Sequence, residues 1–186
     1  MTTSITPMRE VQARWSYSEI LSKGVGHFYD GLPGVEALRK KARAHVRFHD
    51  LTEEDFKVLC RGFNGVRGAF SANYLRGIAG FHVADWSKEQ LSDLLIVPNA
   101  TPLNRFAPFS VYAALPIDDT TPPCDARRAA ESVQMTASAA EVHPVTLGMY
   151  AGRLVLLDGY HRAIRFWHSS NTGARLATFV PIPINT

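Results

Sequence analysis

An α+β fold is what this sequence predicts, with a mostly helical N-terminal region and a smaller C-terminal unit of mixed strands and helices. Three observations carry that reading. Through the first ninety or so residues, apolar side chains recur at helical spacing behind Ser and Thr caps. After residue 98 the character changes, and strand-like runs bounded by Gly and Pro alternate with helical ones. Finally, "RLVLLDGYHRAIRFW" (153–167) runs an apolar strand through Asp-Gly into a helical pattern. The 186 residues thus divide into a helical region, 1–93, and an α+β unit, 94–186.

Composition narrows the classes. Hydrophobic residues make up 46% of the chain, enough for a buried core. No apolar run approaches the length of a membrane span. The opening "MTTSITPMREVQARW" carries Arg9, Glu10 and Arg14 where a secretory signal needs an apolar core, so none is expected. Two cysteines, Cys60 and Cys124, with no CxxC pairing, suit a reducing, cytoplasmic setting and inert thiols. The net charge of +3 and pI of about 9.0 fall short of the excess expected of a protein that lives on nucleic acid. Fifteen of the twenty basic residues are arginine, whose fork suits phosphate and carboxylate.

In chain order, "GVEALRKKARAHVRFH" (34–49) spaces Val35, Leu38, Ala42 and Val46 as one helix face, opposite Arg39, Lys40, Lys41, Arg43 and Arg47. Thr52 is set to cap a helix over 50–63, with Glu53, Glu54 and Asp55 favoured in its first turn and Phe56, Leu59 and Phe63 as its apolar stripe. Four glycines interrupt any helix in 64–80. Ser87 caps another helix, with Leu91, Leu94 and Leu95 packing and Pro98 as its stop. Beyond it come a proline-rich loop (98–109), a strand (110–117), a break (118–123) and a helix (124–135). A hairpin follows, with strands at about 143–149 and 153–157 around "AGR". A helix over 160–169 ends near Gly173. A last strand spans 174–184, and its prolines predict a sheet edge.

The chemistry concentrates at Asp158-Gly159-Tyr160-His161-Arg162. A helix start leaves backbone N–H groups without internal partners, and the peptide dipoles add positive charge there. Gly159 permits a sharp turn and close approach of an anion. His161 and Arg162 add side-chain donors, and Arg162 is able to grip two phosphate oxygens. Asp158 would cap the helix or orient His161, with magnesium binding ranked behind these. The same Asp-Gly also serves ordinary strand–turn–helix connections, for turn reasons alone. Other candidates weigh less. His45 and His49 stand four apart but lack a third metal ligand, so no metal site is expected. The basic run Arg39–Arg47 reads first as a solvated helix face and only second as a polyanion surface. Arg127 and Arg128 are possible nucleotide contacts, as is Arg105 after its proline-rich loop.

"RLVLLDGYHRAIRFW" resembles the signature of the ParB/sulfiredoxin-like superfamily, in which a strand leads into a (D/G)GxxR turn and a helix. The upstream "RRAAESVQMTASAAEVHPVTLGMYAGRLVLLDGYHRA" follows the same order: helix, Ser-hydrophobic pair, Pro-hydrophobic strand, short turn, signature. "IVPNATPLNR" (96–105) resembles the Pro-Asn…Pro-x-Arg segment near the start of ParB domains, with different spacing. The resemblance covers about 94–184 and implies a ParB/sulfiredoxin-like domain that binds a nucleotide through this turn. Carried over by position, it implies phosphate contacts at Gly159, His161 and Arg162, with Asp158 beside them. Tyr160 stands where sulfiredoxins hold a reactive Cys, so sulfinic acid reduction is not expected. His161-Arg162 replaces the Arg-Arg of partition ParB proteins and no helix-turn-helix follows, so centromere binding of that kind is not expected either. The DGxHR form is closest to the branch that contains a free-serine kinase.

The expected function is therefore a cytoplasmic nucleotide-binding enzyme that uses ATP, or another nucleotide, with magnesium to transfer a phosphoryl group to a small molecule or to hydrolyse it. Asp158 and His161 are the catalytic candidates. Gly159, Tyr160, His161, Arg162 and Arg105 are the nucleotide-binding ones. The alternatives are a non-catalytic phospholigand module that regulates a partner, and a ParB-like nucleic-acid-associated protein.

Overall fold

The computed structural model describes residues 5–22, 24–92, 94–96, 115–116, 143–159, 162–163, 166 and 173–184. Within these the chain is α+β, with five helices labelled here and one six-stranded mixed sheet. The helices are α1 (Met8–Glu19), α2 (Val35–Arg43), α3 (Glu53–Val66), α4 (Gly68–Leu75) and α5 (Lys88–Ser92). The strands are β1 (Ile78–Trp86), β2 (Leu95–Ile96), β3 (Leu115–Pro116), β4 (Val145–Tyr150), β5 (Arg153–Asp158) and β6 (Leu176–Pro183). They lie in the order β1-β6-β4-β5-β2-β3. The β6–β4 and β5–β2 pairings are parallel and the other three antiparallel.

Local chemistry explains most boundaries. Thr52 caps α3 through a reciprocal pair: the Asp55 N–H donates to Thr52 Oγ1 at 3.2 Å, and the Thr52 N–H donates to Asp55 Oδ2 at 2.8 Å. Ser87 and Gln90 repeat the device before α5. The β4–β5 turn uses two left-handed residues, Ala151 (φ 48°) and Gly152 (φ 76°), as a two-residue hairpin with primed-turn geometry does.

The sheet is covered on both faces near β5, which is why "LVLL" reads as an unbroken apolar run. Val155 and Leu157 pack against Trp15, Phe63, Phe70 and Tyr74 of α1, α3 and α4. Leu156, with Val145 and Leu147, packs against Trp86, Leu91, Leu94, Ala163 and Phe166. At Gly148 a Cβ would stand 2.6 Å from Leu157 Cδ1 and 2.8 Å from the Tyr74 carbonyl, so the close approach of α4 to β4 requires glycine.

Four expectations change. Residues 78–86 are not helical but form β1, a full-length partner of β6, so the sheet draws on both sides of residue 93. The helix expected over 34–49 ends at Arg43. His45 turns to φ 56° and a 3₁₀ turn takes Phe48–Asp50, so His45 and His49 do not share a helix face. The helix expected to reach Pro98 ends at Ser92, and Leu95–Ile96 pair as a strand with β5. The last strand is interior rather than an edge. Its pairing with β4 covers Thr178 and Phe179, and Pro181 and Pro183 lie beyond that contact, where a missing N–H breaks no ladder bond to β4. The helix at 124–135 and the loop at 98–109 lie outside the described residues.

Candidate functional site

β5 ends at Asp158, and Gly159 turns the chain at φ 87°. Arg162 and Ala163 are helical, and the Ala163 N–H donates to the Gly159 carbonyl at 2.9 Å, the first bond of a helix. The strand–glycine–helix junction read from the sequence is therefore present. Parallel β2 runs alongside, Leu95 opposite Val155 and Ile96 opposite Leu156, so both strands point their carboxyl ends to the same side. In open sheets with parallel strands, that side is where ligands bind.

The side chains there are tightly engaged. Arg162 Nη2 donates to Asp158 Oδ2 at 3.0 Å, and Nη1 donates to the His143 carbonyl. Both side chains are largely buried, 10% exposed for Arg162 and 14% for Asp158. A Cβ on Gly159 would stand 2.6 Å from Val145 Cγ1 and 3.0 Å from Arg162 Nη2. The space expected to admit an anion is thus filled by the protein's own valine and guanidinium. Each Nη carries two hydrogens, so the guanidinium keeps donors beyond these two bonds.

A second ion pair stands behind the first. Glu19, the last residue of α1, is buried and accepts from Trp15 Nε1 at 2.9 Å, Tyr29 Oη at 2.9 Å and Arg67 Nε at 3.1 Å. Arg67 joins α3 to α4 and lies over the Trp15 ring, 5.8 Å from its centre. Burial raises the Tyr29 hydroxyl's pKa strongly, and the Glu19 charge adds to this. Burial also dominates at Asp158, pushing its carboxyl up to about 6. The Glu19 charge pushes the same way, while Arg162, Arg67 and the Gly159 N–H pull it back. Two carboxylates and two guanidiniums thus form one buried cluster linking α1 and the α3–α4 junction to the end of β5. Asp158 is the member poised to exchange a proton near neutral pH.

Of the predicted site residues, Asp158, Gly159 and Arg162 come together. Tyr160, His161 and Arg105 lie outside the described residues, as do Arg127, Arg128 and Cys124. Sequence reasoning missed Glu19 and Arg67. The available signal was a glutamate four residues after Trp15 on the buried face of α1. Three cations of the expected basic face have acidic partners: Arg39 with Asp30 and Glu36, Lys41 with Asp55, and Arg47 with Asp50. Cys60 is partly buried, and burial pushes its thiol pKa up. Among the described residues no three potential ligands gather to hold a metal ion. Nor is any helix among them long and apolar enough to cross a membrane. No family model, curated protein or solved structure matches the chain.

Proposed function

We propose that the chain is a nucleotide-binding enzyme of ParB/sulfiredoxin-like type. It takes ATP, or another nucleotide, with magnesium and transfers or hydrolyses the terminal phosphoryl group, with the phosphates held at the 158–162 turn. One observation carries the reading. At the carboxyl end of β5, a left-handed glycine places a guanidinium and a proton-exchanging carboxylate side by side where a helix begins. Backbone amides, and the Arg162 donors left beyond its bonds to Asp158 and the His143 carbonyl, would neutralise phosphate charge, and most of the help in phosphoryl transfer comes from such positioning and neutralisation. Asp158 accepts or donates the proton, and His161 would supply a second donor. The acceptor small molecule would lie between the turn and the N-terminal helices, whose Glu19 and Arg67 already reach Asp158 electrostatically.

One observation favours the non-catalytic phospholigand module as a second reading: both Arg162 Nη atoms already have internal partners, so a ligand that takes Arg162 must exchange them, as a binding switch does. Phosphate release from ATP or CTP with magnesium separates the two. The enzyme reading expects release that His161→Ala abolishes without changing the melting temperature of the free protein. A panel of nucleotides and phosphorylated metabolites, with and without magnesium, provides the wider test, because a ligand that binds only the folded state raises its melting temperature. If no such compound shifts wild type more than it shifts His161→Ala and Arg162→Lys, the reading is wrong.

A further inference from the structure

We draw no further inference here: the strongest candidate, the cavity between α1 and the start of α3 lined by Glu10, Arg14, Phe48, Glu53 and Phe56, carries nothing, because Arg14 is already paired with Glu10 and laid over the Phe48 ring and nothing in the structure shows what would fill the space.

Discussion

Replacing Asp158 with asparagine should stabilise the protein at neutral pH, although it removes one member of an ion pair. The amide keeps an oxygen where Asp158 Oδ2 accepts from Arg162 at 3.0 Å. The carboxyl titrates at about 6 in the folded protein against 3.8 for the ordinary side chain. Its ionised form is therefore disfavoured by folding, and the pull of Arg162 and Arg67 is already included in that value. At about 1.4 kcal/mol per pH unit, holding the charge in place costs about 3 kcal/mol at pH 7. The protonated group's contribution is fully present below the unfolded value of 3.8 and is lost as pH rises through about 6. Asparagine escapes that loss. Its advantage is then about 3 kcal/mol at pH 7, about half that at pH 5, and a few tenths to half a kcal/mol at pH 4. Urea unfolding of both proteins at the three pH values measures it. If Asp158→Asn is instead less stable than wild type at pH 7 by more than about 1 kcal/mol, the Arg162 pair outweighs desolvation and the reasoning is refuted.

Further perturbations test the frame around the site. Glu19→Gln leaves Arg67 buried with its direct partner neutralised and should lose about 3 kcal/mol in denaturant melts, with Arg67→Met in the same chain recovering part of that loss. The same Glu19→Gln change should bring the Asp158 carboxyl titration, followed by NMR, down from about 6, because a like charge has gone. Gly159→Ala must accept φ 87° and a Cβ 2.6 Å from Val145 Cγ1, so a loss of at least about 2 kcal/mol is expected in thermal unfolding. Thr52→Ala removes half of the α3 capping pair and should cost about 1 kcal/mol in chemical denaturation.

What was legible in the sequence was local. Thr52 and Ser87 announce their helices because a cap and its partner sit three residues apart. The β4–β5 hairpin follows from Ala151-Gly152 between two apolar runs, and the junction at Gly159 from Asp-Gly after "LVLL". β1 was hidden because its residue types do not follow its burial. Apolar Ala79 and Val83 lie on the exposed face, Gly80, His82 and Ala84 on the inner one, and Phe81 is buried out of step, with an irregularity between Ile78 and Gly80. Its partner, β6, lies almost a hundred residues away, so only the tertiary pairing makes it a strand.

The candidate site divides along the same line. Asp158, Gly159 and Arg162 are neighbours in sequence, and a turn motif names them. Glu19 and Arg67, 48 residues apart, reach the site through packing: Trp15 and Phe63 press α1 and α3 onto Val155 and Leu157. The apolar contact sets the distance, and the charges at the ends of those elements then face one another. Burial, rather than any motif, gives Asp158 its proton affinity, since desolvation is the largest cause of its shift. A sequence motif thus specifies which groups stand at the turn, while their burial and the charges packing brings up to them set their protonation state.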